Sequence, residues 1–318
     1  MLNLIRRSAS ASTTETPGAD WVLPADAIWV DLLNPTREEE LAVERVLGVD
    51  LPTREEMAQI EPSSRLYQED QATFLTATLL AHSQDDHPTS APATFVLARG
   101  VLVTIRYVDF KAFTVFAVRA ADNPNLSNGA EVLLELLDAI VERLAYVLEA
   151  GSTAVQESSN AIFDRPHGGA FEPLLTGLAR TQSVVAMART SLVSLGRLAS
   201  FAGLAPELLD ASAGRAHLTS VQHDIGSLNE HAGSLASQIA FLLDAALGLI
   251  NIEQNGIIKF FSVVSVALMP PTLVASIYGM NFHHMPELSW RLGYPMALAL
   301  MVIAGVGPFL WFKRKRWL

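Results

Sequence analysis

Two long uncharged runs near the end of the chain dominate its hydrophobic pattern. Residues 260–278, FFSVVSVALMPPTLVASIY, contain no charged side chain over 19 positions, and residues 292–312 contain none over 21. A helix of about 20 apolar residues spans the hydrocarbon core of a bilayer. We therefore predict two transmembrane helices, at 257–279 and 292–312, which are joined by an extracytoplasmic loop at 280–291.

Short runs rich in β-branched and aromatic residues occur in the first part of the chain. Gly100 stands at the tight turn of an expected hairpin between the third and fourth of these runs. The motif TREE at 36–39 is a capping box that opens a helix to about Leu47. The mixture of strand-like and helix-like segments predicts a small mixed α/β sandwich at 21–122, after a flexible start at 1–20. The runs occupy residues 28–32, 73–80, 94–98, 101–107 and 113–118.

The region from 123 to 256 has the apolar spacing of long helices. Helical stretches at 130–163 and 171–201 are separated by a segment rich in Pro and Gly, and a third stretch begins near residue 207. This third stretch runs into the first predicted span with no proline before Pro270. A helix of some 60 residues would be about 90 Å long. We expect it to act as a stalk that links the cytoplasmic α+β region to the membrane.

A regular stripe of polar and small residues runs along the first predicted span, and we name it the polar seam. Successive members are separated by 7, 3, 4, 3, 4 and 3 positions. This repeat of 3.5 residues places them on one side of a helix. The other side is apolar. The polar seam consists of Asn255, Ser262, Ser265, Met269, Thr272, Ser276 and Gly279.

The polar seam has two interpretations. Small residues allow transmembrane helices to pack closely, which would give the seam a purely structural role. Alternatively, several copies of the helix surround an aqueous path for ions, with the seam facing that path. Two spans from one chain cannot enclose a pore, so the second interpretation requires a homo-oligomer, most simply a ring.

Charge is divided unevenly along the chain. The net charge is −11, yet residues 257–318 contain six basic residues and a single acid, Glu287. An acidic body argues against a nucleic-acid partner and favours the attraction of cations. An excess of Lys and Arg marks the cytoplasmic side of a membrane protein, so we predict that both termini lie in the cytoplasm. The basic collar at the membrane surface consists of Lys313, Arg314, Lys315 and Arg316.

Several classes of enzyme are disfavoured by the residues that are missing. The sequence has no cysteine, which excludes disulfides, thiolate metal sites and cysteine nucleophiles. The zinc-protease motif H-E-x-x-H, the nucleophile motif G-x-S-x-G and the phosphate-binding loop of nucleotide hydrolases are absent as well. The pattern indicates a passive ion path without a resident cofactor, rather than an enzyme or an ATP-driven pump.

A loop motif follows the first predicted span. It reads Tyr278-Gly279-Met280-Asn281 and is followed by Met285-Pro286-Glu287-Leu288. Together with IWVDLLNP at 28–35 and the basic C-terminal end, it resembles the CorA magnesium transporters, and among these the enterobacterial type. The resemblance implies a funnel-shaped homopentamer of the bacterial inner membrane. It also implies influx of Mg²⁺, and of Co²⁺ and Ni²⁺, driven by the membrane potential and gated by cytoplasmic Mg²⁺.

The resemblance also implies roles for particular residues. Gly279, Met280 and Asn281 would meet the hydrated ion and form its selectivity filter. The family's regulatory carboxylates have no clear local motif here, and Asp244 and Asp224 on the expected stalk helix are the candidates. The resemblance and the seam together give as pore-lining candidates Asn255, Ser265, Met269, Thr272 and Ser276.

The outer loop departs from the family pattern. His283 and His284 stand where an acid or an apolar residue is expected, which leaves Glu287 as the carboxylate of the loop. These imidazoles either are solvated loop residues or slow the passage of transition metals. Two alternatives stay open: a zinc transporter of the same superfamily, which Met280 disfavours, and a membrane-tethered sensor or scaffold that conducts no ion.

Overall fold

The computed structural model describes most of the chain. The described residues are 1–7, 12–17, 21–59, 61–83, 88–123, 126–164, 171–209, 212–281, 283 and 285–315. The chain divides into two compact units, Met1–Leu243 and Asp244–Leu318. The strands are β1 Leu2–Arg6, β2 Thr13–Glu15, β3 Ala27–Leu33, β4 Leu66–Glu69, β5 Ala72–Ala81, β6 Thr89–Ala98 and β7 Val101–Arg106. The helices are α1 Arg37–Leu47, α2 Arg54–Met57, α3 Pro62–Arg65, α4 Lys111–Asp122, α5 Gly129–Phe163, α6 Glu172–Ala202, α7 Pro206–Leu209, α8 Ser212–Tyr278 and α9 Gly293–Arg314.

A mixed sheet forms the centre of the first unit. Within the described residues it has seven strands in the order β2-β1-β3-β7-β6-β5-β4. Strand β3 pairs with β7 in parallel, and the other neighbouring pairs are antiparallel. The predicted hairpin is confirmed, because Ala98 of β6 lies opposite Val101 of β7. Its two turn residues, Arg99 and Gly100, both have a positive φ, as a tight hairpin turn requires.

Two predictions about the first 122 residues were wrong. Residues 113–118 form part of helix α4 instead of a strand, because the buried aromatic residues Phe113 and Phe116 recur at helical spacing and contact Trp29. The start of the chain is not uniformly flexible. Strand β1 pairs with β3, and its Leu2 and Leu4 are fully buried in the core. The alternation of apolar and polar residues in LNLIR was the signal that the sequence analysis missed.

The predicted helices are confirmed with small changes in their ends. Helix α1 begins with both hydrogen bonds of the capping box between Thr36 and Glu39, and it ends at Gly48. Helices α5 and α6 correspond to the two predicted stretches and belong to the same unit as the sheet. The predicted boundary near residue 122 therefore separates the sheet from helices that pack on it, rather than two compact units.

Helix α8 continues without interruption from the stalk region into the first apolar run. It has 67 residues and includes Pro270 and Pro271, which confirms the prediction of one long helix. Three helices among the described residues are long and apolar enough to cross a membrane: α6, the part of α8 from Gly214, and α9. In α6 the apolar window is 39% buried within the chain, against 6% in α8 and in α9. The apolar residues of α6 thus serve packing on β5, whereas those of α8 and α9 remain exposed.

A buried ion pair joins the two parallel strands of the sheet. Arg106 on β7 donates to Asp31 on β3 through Nε at 3.0 Å and Nη2 at 2.8 Å. Thr104 Oγ1 donates to the same carboxylate at 2.8 Å, and it accepts a bond from Trp29 Nε1 at 2.9 Å. Burial alone would lower the pKa of Arg106, but Asp31 and Asp109 outweigh that cost and raise it above its ordinary value. The network ties β3 to β7 by polar contacts inside an otherwise apolar core.

A half-buried tyrosine makes the stability of the fold sensitive to alkaline pH. Tyr107 Oη donates to Glu40 Oε1 at 3.0 Å, and burial together with this bond raises the pKa of Tyr107 to about 12. An unfolded tyrosine titrates near pH 10. The folded state therefore holds the phenol proton more tightly, so this contribution to stability is complete below pH 10 and is lost as the pH rises toward 12.

We expect Tyr107→Phe to lower the thermal unfolding temperature of the detergent-solubilised protein at pH 8. The difference in unfolding temperature from the unmodified protein should shrink between pH 10 and pH 11. In this range the phenol ionises in the unfolded state but stays protonated in the folded state. Scanning calorimetry at several pH values measures it, and Tyr146→Phe at an exposed ring is the matched control. A difference that stays constant over this pH range would contradict the assignment.

Candidate functional site

The polar seam lies on an uncovered side of α8. All seven of its residues are exposed in the chain. The hydroxyl of Ser262 donates to the Ile258 carbonyl at 2.7 Å, and that of Thr272 donates to the Leu268 carbonyl at 2.8 Å. Because these hydroxyl hydrogens are used within the helix, the oxygens present acceptor lone pairs outward. At these two positions the seam offers hydrogen-bond acceptors, which suit a hydrated cation whose water molecules are donors.

The second apolar helix contacts the opposite side of α8. A Cβ atom built on Gly305 of α9 would lie 3.1 Å from Pro271 Cγ and 3.2 Å from the Ala267 carbonyl oxygen. At 100° per residue, Ala267 and Pro271 lie on the side of α8 opposite to the seam. The half-buried residues of this helical segment lie on the same side as these contacts, at 263, 264, 267, 270, 271, 274 and 278.

The close approach of α9 to α8 depends on a glycine. We expect Gly305→Ala to destabilise the pair of apolar helices by about 1–3 kcal/mol, because its added methyl overpacks the contact. The matched control is Gly307→Ala, since a Cβ at Gly307 meets no atom within 4 Å. The measurement is the fraction of full-length protein that remains monodisperse in detergent after heating. Equal losses for the two variants would show that the contact does not limit stability.

Backbone contacts shape the loop that follows α8. The Gly279 N–H donates to the Ala275 carbonyl at 2.9 Å and closes the helix, and the Met280 N–H donates to Ile277 at 3.3 Å. Asn281 follows outside the helix and is exposed. The three predicted filter residues are therefore consecutive at the end of the seam, with the Asn281 side chain open to solvent.

The rest of the outer loop is short and compact. A 3₁₀ turn covers Pro286–Ser289, and Glu287 in it is exposed. A Cβ on Gly293, the first residue of α9, would lie 2.2 Å from the Glu287 carbonyl oxygen, so only glycine fits there. His283 is exposed, whereas His284 lies outside the described residues. The predicted carboxylate and one predicted imidazole are thus accessible from solvent.

The regulatory candidates do not form a metal site within one chain. Asp224 and Asp244 are exposed on α8, and Asp224 lies 3.8 Å from the imidazole of His223. Across the described residues, no group of three or more His, Asp or Glu side chains could hold a metal ion. A contact that the sequence analysis missed joins α8 to α5, where His217 Nε2 pairs with Asp138 Oδ2. It had no local signal, because 79 positions separate its residues.

The basic collar follows directly from the second apolar helix. Lys313 and Arg314 form the last turn of α9, and Lys315 caps it through its N–H to the Trp311 carbonyl. The Lys315 ammonium also lies 6.0 Å from the centre of the Trp311 ring. The fourth predicted member, Arg316, lies outside the described residues. Three cationic side chains therefore lie at the end of an apolar helix, next to aromatic residues. This arrangement is typical of a membrane interface.

Comparison with known proteins gives a consistent result over almost the whole chain. The family described as CorA-like Mg²⁺ transporter protein matches residues 24–314. The Magnesium transport protein CorA of Salmonella typhimurium is 38% identical over 294 residues, 92% of each chain. The protein of the same name in Escherichia coli K12 is 37% identical over the same length. Among solved structures, the complete CorA magnesium transporter from Methanocaldococcus jannaschii aligns with a TM-score of 0.77, at 17% identity, over 100% of this chain and 98% of that one.

Proposed function

The chain belongs to the CorA-like Mg²⁺ transporter family, and on this premise we propose that it mediates Mg²⁺ influx across the bacterial inner membrane. The transporting unit is a funnel-shaped homopentamer in which copies of α8 surround the ion path. Co²⁺ and Ni²⁺ follow the same route. Cytoplasmic Mg²⁺ bound at carboxylates such as Asp244 and Asp224 closes the path.

The observation that carries this proposal is the exposure of the polar seam opposite to α9. A helix that used its small residues only to pack on its own second span would bury them there, yet α9 contacts the other side. An exposed row of hydroxyl and amide groups is unfavourable against lipid. Oligomerisation that turns these groups toward a central water-filled path removes that cost.

The chemistry of Mg²⁺ fits neutral oxygen acceptors. Mg²⁺ holds its water molecules tightly in octahedral geometry and loses them reluctantly. A ring of Asn281 side chains accepts hydrogen bonds from those waters without stripping them. The neutral amide also avoids binding the ion so strongly that it cannot leave. In this mechanism Asn281 selects a hydrated divalent ion, and Thr272, Met269 and Asn255 pass it inward along the seam.

The membrane potential supplies the driving force. Moving one elementary charge through 100 mV releases about 2.3 kcal/mol, so a divalent ion gains about 4.6 kcal/mol. No nucleotide is needed. The basic collar sets the orientation, because clustered Lys and Arg next to a span stay in the cytoplasm. Both termini then lie inside, and the loop with Asn281 and Glu287 faces outward to receive the ion.

Ion flux into liposomes that contain only the purified protein tests this function. Mg²⁺ entry should depend on an inside-negative potential and should fall when Mg²⁺ is loaded into the lumen on the cytoplasmic side of the protein. Faster entry of Zn²⁺ than of Mg²⁺ would favour the zinc-transporting alternative. Absence of flux for every divalent ion, in protein that is correctly assembled, would favour the sensor or scaffold.

A further inference from the structure

A cavity lined by arginines lies in the first unit, and none of its lining residues belongs to the polar seam. Its volume is about 480 Å³, and it lies among the end of α3, strand β5, helix α6 and the part of α8 around Ala236. Three arginines line it, Arg65, Arg189 and Arg197, and its lining includes no Asp or Glu among the described residues. We name it the arginine cavity. A cavity lined by three arginines is unexpected in a chain with a net charge of −11.

The backbone brings the three arginines together from different elements. Arg189 and Arg197 are eight residues apart on α6, two turns along one side of the helix with Val193 between them. Arg65 comes from the end of α3. Its Nη1 donates to Thr78 Oγ1 at 2.9 Å, and its Nε donates to the Gln59 carbonyl. These two bonds hold the third guanidinium in place beside the helix.

Among the residues that the structure describes, no acidic side chain neutralises the positive charge of the cavity. In the part of the chain that the structure describes, Arg65, Arg189 and Arg197 take part in none of the ion pairs. Burial, followed by repulsion from Arg197, lowers the pKa of Arg65. An anion placed between these groups would relieve both the repulsion and the lost hydration. The arrangement therefore favours a negatively charged ligand.

Polar groups around the arginines match an oxyanion. The Thr78 N–H donates to Ser194 Oγ at 2.9 Å, which leaves the Ser194 hydroxyl hydrogen outside that bond. Gln182 adds a side-chain amide to the lining, whereas the Thr190 hydroxyl already donates to the Ala186 carbonyl at 3.0 Å. Guanidinium groups bind phosphate oxygens through paired, charge-assisted hydrogen bonds. Three of them suit a dianion or a more highly charged group better than a single carboxylate, and the volume lies within the usual range of small-molecule sites.

We propose that the arginine cavity binds a small phosphorylated anion. The ligand bridges Arg65 at the edge of the sheet to Arg189 and Arg197 on α6. This binding does not depend on the proposed ion transport, because none of the cavity residues belongs to the seam or to the loop that follows it.

Calorimetric titration of the full-length protein in detergent tests the proposal, with inorganic phosphate and pyrophosphate as probes. We expect saturable binding of pyrophosphate with a dissociation constant below about 1 mM. Arg189→Gln and Arg197→Gln should each weaken it by about tenfold or more. Arg215→Gln, at an exposed arginine of α8 outside the cavity, removes the same charge and should leave binding unchanged.

Two further measurements keep the test decisive. Arg197→Lys preserves the charge but not the paired geometry, so it should retain part of the affinity that Arg197→Gln loses. Size-exclusion chromatography of every variant establishes that the protein is folded and assembled. Absence of saturable binding to the unmodified protein would overturn the proposal, as would an equal loss of affinity in Arg215→Gln. A change of oligomeric size in Arg197→Gln, without phosphate binding by the unmodified protein, would assign the cavity to a carboxylate of a neighbouring copy instead.

Discussion

Replacing Asn281 by alanine is expected to abolish Mg²⁺ uptake while the oligomer persists. Asn281 is exposed and directly follows the seam, where a hydrated ion would first meet the proposed path. Each lost hydrogen bond to a bound water removes about 0.5–1.5 kcal/mol. Every subunit of a ring loses the same bond, so the combined effect on ion entry should exceed about tenfold.

The Asn281→Asp variant tests whether ion passage needs a neutral side chain at this position or whether any group that attracts Mg²⁺ is sufficient. Asn281→Asp replaces a neutral acceptor by a charged one of nearly the same shape, so Mg²⁺ should bind more tightly and pass more slowly. If Asn281 merely ended the helix, aspartate would be as good as asparagine. The measurement is the initial rate of Mg²⁺ entry into liposomes, together with the external concentration that gives half of the maximal rate.

Asn160→Ala provides the matched control for these variants. Asn160 is exposed on α5, where its side-chain oxygen accepts a hydrogen bond from Gln156 Nε2 at 3.0 Å. The same change of side chain there should leave the uptake rate unaltered. Undiminished uptake by Asn281→Ala, in protein of unchanged oligomeric size, would refute the role of the loop asparagine.

The parts of the structure that sequence reasoning predicted depend on contacts between close neighbours in the chain. The helix that begins at Thr36 was predicted from a four-residue capping pattern, and both of its bonds are present. The turn at Arg99 and Gly100 was predicted from the glycine that separates two apolar runs, and the two residues have φ values of 52° and 78°. In each case the deciding interaction spans fewer than five residues, so a short sequence pattern is enough to predict the local structure.

Errors arose where tertiary packing overrode local preference. The aromatic and β-branched residues around Phe113 suggested a strand, but the space beside Trp29 is filled by a helix that presents Phe113 and Phe116 together. The strand at Leu2–Arg6 was missed because its alternation of apolar and polar residues covers only five positions. Its position is decided by pairing with β3, some 25 residues further along the chain.

The candidate site also combines a local feature that the sequence predicts with contacts between distant residues that it does not predict. Helical periodicity predicted that the seam residues share one side of α8, because that relation is local to a single helix. It could not predict which side α9 covers, since this depends on a contact between Gly305 and Pro271, 34 positions apart. The arginine cavity had no sequence signal either. Arg65 on α3 lies far in the sequence from Arg189 and Arg197 on α6, and neither their spacing nor their neighbours form a motif.

Removing the carboxylate of Asp31 is expected to have the largest effect on the stability of the first unit. Asp31 and Arg106 are both nearly inaccessible to solvent, with side-chain exposures of 8% and 4%. Breaking a buried ion pair by changing one partner typically costs about 3–5 kcal/mol, because the other charge remains buried. In Asp31→Asn the shape is retained but the negative charge is lost, while Arg106 keeps its bonds to Asp109 at 2.7 Å and to the Val108 carbonyl at 3.4 Å and its contact with the Phe113 ring.

Thermal unfolding of the full-length protein in detergent measures this effect. For a unit of this size, a loss of 3–5 kcal/mol corresponds to a fall of about 6–20 °C in the unfolding temperature. Glu142→Gln is the matched control, since it makes the same change of carboxylate to amide in an exposed pair. Glu142 and Arg119 are 3.1 Å apart with exposures of 66% and 57%, and such pairs contribute little because water screens them.

A double replacement separates the cost of an unpaired charge from the value of the pair itself. Substituting Asp31 by Leu together with Arg106 by Met removes both charges from the core at once. If the unpaired guanidinium causes the instability of Asp31→Asn, this double variant should be more stable than the single one, although its core is less closely packed. A double variant that is less stable than Asp31→Asn would mean that the bonds of Asp31 to Thr104 and Arg106 hold β3 and β7 together in their own right.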